Sequence, residues 1–490
     1  MCLHNLIVSV SRQPYFRVFQ FLVYKVELFL PAEDVLSGYQ GLARKLLERA
    51  GARVGDLVRI VKSDGSVYEG VLMPRYAAFS KPIIVIKLSN GYNVGVKVDD
   101  KTVVEVLKTR EQILKEAIAG APAVIPLIEE KPPSGPKPHV LVLGTGGTIA
   151  SRIEYETGAV KPAFSAKELL EAVPEIGFVA EIESEVLFNI LSENMRPEMW
   201  EKIVDSIAKY IREGFDGIVV AHGTDTMAYT AAALSFALQG LPVPIALVGA
   251  QRSSDRPSSD AAFNLHAAVL VAAKAPFAEV VVVMHGEPSD SYALAHRGVK
   301  VRKMHTSRRD AFQSINSLPL AKVWPSQNKI EILLKPLRKR REQELVVKNG
   351  FERKVALVKY YPGMDSEIID FLVDKGYRGI VLEGTGLGHV GEWLIPSIRR
   401  AVEEGIVVVM TSQCLFGRVN MNVYTTGRRL LAAGVVPGED MLPETAFVKL
   451  AWALKQFDDI EEVKRIMQTN LVGEVTTRHS LDVYPRWNHG

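Results

Sequence analysis

The sequence is poor in cysteine, in uninterrupted apolar runs and in net charge. Only Cys2 and Cys414 are present among 490 residues. Two thiols so far apart give no disulfide framework and no cysteine-based zinc site, so a reducing cytoplasm is the expected compartment. The most apolar N-terminal stretch, QPYFRVFQFLVYKVELFLP, is broken by Arg17, Lys25 and Glu27. A spanning helix needs about 20 nearly uncharged residues, and a signal peptide needs a basic end, an unbroken apolar run and a small-residue cleavage site. Neither pattern fits, and no membrane association is expected. Residues 1–35 are read as an N-terminal extension, either an extra strand or short helix, or sequence upstream of the true start. Net charge is +3, with a sequence pI near 8.6. That is too small a bias for a dedicated nucleic-acid coat, but compatible with a tRNA or other anionic partner. No motif of metal-ligand spacing stands out, and no metal is expected.

What is present is a soluble-protein composition, 47% hydrophobic and 23% charged, in a chain long enough for roughly two to four domains. Residues 36–110 open with GYQGLARKLLERAG, which has helical spacing and Gly51 as its stop signal. Five short β-branched runs follow: GDLVRIV, SVYEGVLM, PIIVIKL, YNVGVKV and TVVEVL. The turn-like stretches between them predict a small all-β barrel. Residues 111–137 are Ala- and Pro-rich, end near EEKPPSGPKP, and read as a linker. Residues 138–335 alternate continuous apolar runs with helical segments, which predicts an α/β domain with a parallel sheet and amphipathic covering helices. A basic break, KPLRKRREQE, begins a second linker at 336–352. A shorter α/β series and a helical tail occupy 353–490.

Two strand ends carry unusual polar clusters. HVLVLGTGGTIAS starts at His139, and DGIVVAHGTDTMAYTAA starts at Asp216. A phosphate-binding P-loop requires G-x-x-x-x-G-K-[ST], and here Thr148 and Ile149 follow Gly147 with no lysine. A dinucleotide fingerprint requires a third glycine, and Ile149 stands in its place. The other reading is that the threonines are present for their hydroxyls. Open α/β sheets hold ligands at the carboxyl ends of their strands. Thr145, Thr148, Thr224, Asp225 and Thr226 fall at such ends, while Ser-His-Asp order and the G-x-S-x-G elbow are missing. Against this, threonine and glycine also serve as ordinary turn and cap residues, and His222 and His389 fit satisfied structural histidines.

LGTGGTIAS and AHGTDTM together resemble the two signature segments of the bacterial-type asparaginase/glutaminase family. The resemblance runs from about His139 to Met467 and implies that family's two-domain α/β fold. It also implies roles. Thr148 looks like the nucleophile of the first segment, and Tyr155 in YETGAV like the lid tyrosine that closes over it. Thr224 and Asp225 match the second threonine and its carboxylate neighbour, and Lys303 in VRKMHTSRRDAF the lysine that partners them. Ser192 in LSENM matches a substrate-binding serine. Backbone N–H groups around Gly147 and Thr224 are expected to face the developing oxyanion, and Asp225 to pair with the substrate's α-ammonium. Either threonine is chemically able to form the acyl-enzyme. Glu193 stands where the family usually has Gln, and His389 where it often has Asn, so simple asparagine specificity does not follow.

The barrel and linker ahead of the amidase segments, with GARVGDLVRI, DRPSSDAAFNL and TGRRLLAAGVVPGEDMLPETAFVKLAWAL, resemble the D-subunit family of archaeal two-subunit Glu-tRNA(Gln) amidotransferases. That resemblance implies a glutaminase that supplies ammonia to a partner E subunit. The expected assembly is a homodimer within a heterotetramer. Glu-tRNA(Gln) would be bound mainly by the partner, which would also use ATP and Mg, with no cofactor on this chain. A free-standing L-asparaginase/glutaminase is the alternative. A non-catalytic binding module with a decayed enzyme domain is the third reading, and the joint presence of Thr148, Tyr155, Thr224, Asp225 and Lys303 weighs against it.

Overall fold

The structure is a computed structural model. It describes residues 36, 39–73, 82–88, 93–113, 136–146, 151–153, 160–162, 169–170, 173–252, 259–335, 337–479 and 483–484. The expected extension at 1–35 and all but the ends of the expected linker at 111–137 lie outside these residues. So do Gly147, Thr148 and Tyr155.

The chain divides into two compact units, with a boundary between Pro136 and Lys137. In the first, the helix Gly41–Arg49 ends in a Schellman turn. Ala52 N–H donates to Leu47 O, Gly51 N–H donates to Glu48 O, and Gly51 takes φ +64. Five antiparallel strands follow, in the order Asn93–Lys97, Ile83–Lys87, Val67–Leu72, Leu57–Val61, Val103–Lys108. Alternation along Leu57–Val61 sends Val58 and Ile60 inward against Leu47, Leu72, Ile84 and Ile86. The Tyr39 hydroxyl donates to Met73 O and accepts from Val85 N–H, joining two strands from within the core. Among the described residues the five strands form one antiparallel sheet, the small β domain expected from the sequence.

The second unit is built on two main sheets, with short two-stranded ribbons beside them. The larger has eight strands in the order Lys329–Ile332, Ala321–Trp324, Ala293–Arg297, Val280–His285, Ile245–Val248, Gly217–Ala221, His139–Gly146, Glu181–Ile190. From Val280–His285 to Glu181–Ile190 the strands are parallel. The other three join by antiparallel pairings. The smaller sheet, Val355–Lys359, Gly379–Gly384, Val407–Ser412 and Val436–Pro437, is parallel throughout.

Two helices depart from the amphipathic pattern expected of covering helices. Met227–Ala237 and Ala261–Lys274 bury most of their residues, on every side. A helix apolar all round belongs inside. Helix Pro443–Gln456, from the C-terminal half, lies against Met227–Ala237 and against the smaller sheet, so that helix is enclosed from both sides. Part of the basic run turns inward: Arg338 and Arg340 are partly buried, while Lys335, Lys339 and Arg341 are exposed. Arg338 donates to Leu471 O, and Arg340 to the carbonyls of Ala272, Ala273 and Asp216, while Arg341 pairs with Asp216. Cations at the last carbonyls of Ala261–Lys274 also complement that helix's dipole.

Burial holds His222 and His266 down to about 4 and His296 to about 3. An unfolded histidine titrates near 6.5. Between pH 6.5 and 4 the unfolded chain therefore binds protons that the folded chain refuses, so stability falls as pH drops through that window. Each histidine contributes up to about 1.4 kcal/mol per pH unit there. Urea midpoints at pH 7 and pH 5 check this: the midpoint at pH 5 is expected to be clearly lower, and equal midpoints contradict neutral burial of these rings.

Candidate active site

The site grows from two adjacent parallel strands. His139–Gly146 and Gly217–Ala221 run in register, with Gly144 beside Ala221, so their polar ends emerge together. Thr145 is buried and its hydroxyl donates to Ala221 O at 3.0 Å. This first threonine thus ties the two strand ends to each other. Thr148, Gly147 and Tyr155 continue from this strand outside the described residues.

After Ala221 the chain passes through Gly223, Thr224, Asp225 and Thr226 into helix Met227–Ala237. Lys303 arrives from the short strand Val301–Lys303. Its Nζ donates to Thr224 Oγ1 at 2.9 Å and to Asp225 Oδ1 at 2.7 Å. The lysine side chain is 14% exposed and that of Asp225 67%. The hydroxyl is thus approached from one side by a largely covered amine, while the carboxylate faces outward. A lysine that touches both a hydroxyl and a carboxylate is placed to carry a proton at the hydroxyl.

Ser192 lies in the 3-10 turn Ser192–Asn194 that follows strand Glu181–Ile190. It is buried, and its carbonyl accepts from Thr226 Oγ1 at 2.7 Å. Gly223 makes this approach feasible: a Cβ there would lie 2.7 Å from Ser192 Cβ and 2.9 Å from its Oγ. Glu193 is exposed, and among the described residues no hydrogen bond joins it to Thr224, Asp225 or Lys303.

The two histidines differ. His222 Nδ1 meets Gly223 O at 2.7 Å, so it carries the proton. Its Nε2 accepts from Thr230 Oγ1 at 2.9 Å, and Thr230 in turn accepts from Trp200 Nε1 at 3.1 Å. This is a satisfied structural ring under the Thr224 loop. His389 closes the turn Thr385–His389 at the end of strand Gly379–Gly384, with its ring edge-on to Tyr424 at 5.4 Å. Its Nε2 is buried without a hydrogen-bond partner among the described residues, and no hydrogen bond joins it to the Lys303 cluster.

Sequence reasoning assigned no role to the groups beneath Thr224. Asp260 accepts the backbone N–H groups of Gln251 and Arg252 and the Asn264 amide. Asn264 also donates to Gly249 O and meets His285 Nδ1 at 2.6 Å. A Cβ on Gly249 would lie 2.8 Å from Thr224 Cγ2, so this buried network shapes the wall behind the threonine. The available signal was Asp260 and Asn264 at i, i+4 on an otherwise apolar helix.

Comparison with known proteins agrees along the chain. Residues 139–338 match the family model "Asparaginase, N-terminal", residues 354–467 match "Glutaminase/Asparaginase C-terminal domain", and residues 52–107 match "GatD N-terminal domain". The chain is 58% identical to the D subunit of glutamyl-tRNA(Gln) amidotransferase from Pyrococcus abyssi, over 90% of this chain and 99% of that one. It is 55% identical to the Methanopyrus kandleri protein of the same name, over 90% and 95%. Among solved structures it resembles the thermostable L-asparaginase from Thermococcus kodakarensis, at TM-score 0.63 and 34% identity over 69% of this chain and 100% of that one. L-asparaginase I from Vibrio cholerae is similar at TM-score 0.61 and 32% identity, over 69% and 99%. The asparaginase fold thus accounts for the residues that hold the Lys303 cluster, the N-terminal unit carries the further match, and the chain belongs to the D-subunit family of glutamyl-tRNA(Gln) amidotransferases.

Proposed function

We propose that this chain is the glutamine-hydrolysing subunit of a tRNA-dependent amidotransferase. It releases ammonia from glutamine, and a partner E subunit uses the ammonia to convert Glu-tRNA(Gln) to Gln-tRNA(Gln). The observation that carries this reading is Lys303 Nζ shared between Thr224 Oγ1 and Asp225 Oδ1, in a chain whose relatives bear the amidotransferase name. The additional N-terminal match at residues 52–107 weighs against a free-standing asparaginase.

The chemistry divides among these residues as follows. A threonine hydroxyl adds to the side-chain carbonyl of glutamine and gives up its proton. The tetrahedral oxyanion is held by backbone N–H groups near Gly147 and Thr224. The C–N bond then breaks, and the nitrogen leaves as ammonia with that proton. Water attacks the remaining ester, freeing glutamate and restoring the threonine. Thr148 and Thr224 are the hydroxyls, Lys303 moves the proton at Thr224, and Asp225 pairs with the α-ammonium of glutamine. Ser192, Glu193 and Gly147 border the substrate, and Tyr155 closes over Thr148.

ATP and Mg act on the partner subunit, and this chain carries no cofactor. It works in the cytoplasm as a homodimer within a heterotetramer. Glu-tRNA(Gln) lies mainly on the partner, a reading supported by the inward use of Arg338 and Arg340. Among the described residues no helix is long and apolar enough to cross a membrane.

Ammonia release from glutamine and from asparagine, with and without the partner subunit, ATP and Glu-tRNA(Gln), tests the reading. Glutamine turnover is expected to rise with the complete system, and strong asparagine turnover indifferent to the partner would replace this function with a stand-alone asparaginase. Thr148→Ala, Thr224→Ala and Lys303→Ala are each expected to cut glutamine turnover by about 1000-fold or more with the melting temperature nearly unchanged. Retained turnover in both threonine variants rules out the mechanism. Gly223→Ala forces Ser192 away from the Thr224 loop and is expected to cost about 1–3 kcal/mol of stability along with activity. Denaturant titration beside a turnover assay reads both, and a fully active, fully stable variant contradicts the packing described.

A further inference from the structure

Lys303 ends a strand that belongs to neither main sheet. Among the described residues Val301–Lys303 pairs only with Phe312–Ser314, as a two-stranded ribbon. Such a ribbon has little stability of its own. Its anchors therefore decide where the Lys303 amine sits.

Ser314 Oγ meets His296 of the larger sheet at 2.8 Å. Arg309, in the loop between the two ribbon strands, donates to Asp290 Oδ1 at 2.9 Å, beside the same sheet. Further side-chain anchors lead to the C-terminal half. Val299 O accepts from Thr445 Oγ1 at 3.1 Å, and Arg302 pairs with Glu444 at 3.0 Å. Asn316 brackets Gly417 and reaches Asp440 O. The most buried link is Lys300 Nζ to Asp440 Oδ2 at 2.6 Å, with side chains 1% and 0% exposed. Asp440 is also saturated from behind. Its Oδ2 accepts from His479 Nε2 at 2.9 Å and its Oδ1 from Thr476 N–H at 2.8 Å. One carboxylate thus joins the ribbon base, its own loop and the chain beyond helix Ile460–Gln468.

We propose that Asp440 is a positioning residue for glutamine hydrolysis, which acts through Lys300 to hold Lys303 against Thr224 and Asp225. This rests on the role given to Lys303 above. Three residues of strand separate the buried anchor from the amine, about 10 Å of extended backbone. That backbone is flanked by hydrogen bonds at Ile315 N to Lys300 O and Met304 N to Ala311 O, so a shift at the anchor travels along it. A displacement of about 1 Å at a reacting group costs up to about 100-fold in rate. The arrangement also makes the geometry of Lys303 depend on the tail segment that carries Thr476 and His479.

The test uses the full chain with its partner subunit and reads kcat and KM for glutamine beside melting temperature. Asp440→Asn is expected to lower kcat by about 10- to 100-fold while KM changes by less than about threefold. Asp440→Glu, which keeps the charge, is expected to recover part of that loss. Ile398→Ala, in the core of the smaller sheet and wholly buried, serves as a variant destabilised elsewhere and is expected to keep kcat within about twofold. If Asp440→Asn does not fold, the pair Lys300→Met with Asp440→Leu removes both buried charges together, and it is expected to fold with low kcat. Wild-type kcat in Asp440→Asn or in the folded double variant overturns the proposal, as does a loss no larger than that of Ile398→Ala at equal melting temperature. Retained turnover in Lys303→Ala instead overturns the functional reading on which it rests. An inactive Lys303→Ala beside an unaffected Asp440→Asn overturns this inference alone.

Discussion

Parallel strands in one sheet all open their carboxyl ends on the same edge, and the candidate site depends on that constraint. His139–Gly146 and Gly217–Ala221 are direct neighbours in register, so two Gly/Thr segments remote in sequence emerge together. Each strand is a continuous apolar run because helices cover both faces of the sheet. The polar residues are therefore pushed to the strand ends, where backbone groups are free to meet a ligand. Thr145 uses its hydroxyl to clamp the two ends. Small residues then let the surrounding turns close in, with Gly223 against Ser192 and Gly249 against Thr224.

The hydroxyl and the amine reach the site by different routes. Thr224 is placed by the central sheet, but Lys303 hangs on a ribbon outside it, tethered both to that sheet and to the C-terminal half. Buried ion pairs mark the joints of that half: Lys300 with Asp440, and Lys449 with Glu474, both almost wholly removed from solvent. Such pairs are not strong sources of stability, since desolvation offsets much of their attraction. Breaking one by removing a single partner nonetheless costs about 3–5 kcal/mol, because a lone buried charge remains. Their value is in specifying one arrangement of the joint over others, which is the property that a tethered lysine requires.

Much of this was readable before folding. Thr224 and Asp225 adjoin each other at the end of an apolar strand, so their placement at a strand end follows from local pattern. The helix stop at Gly51 follows from the need for a left-handed residue after Arg49. The amphipathic expectation failed for Met227–Ala237 because periodicity reports one buried face, whereas this helix is covered again by Pro443–Gln456, more than 200 residues later. The basic run read as the start of a linker. Arg340 instead serves the last carbonyls of helix Ala261–Lys274, and Arg338 the carbonyl of Leu471, a use that composition does not reveal.

The sequence by itself determined the apolar strands, the hydroxyl-bearing ends and the division into a β-rich N-terminal part and a larger α/β part. These are properties of local periodicity and turn chemistry, which act over a few residues. Only tertiary structure decided that Lys303 touches Thr224 and Asp225, that Asn264 and Asp260 shape the wall behind them, and that Asp440 bears on the lysine from 137 positions away. Hydrogen bonds and ion pairs hold within about 3 Å of space, and no spacing along the chain encodes which remote groups the fold brings within that reach.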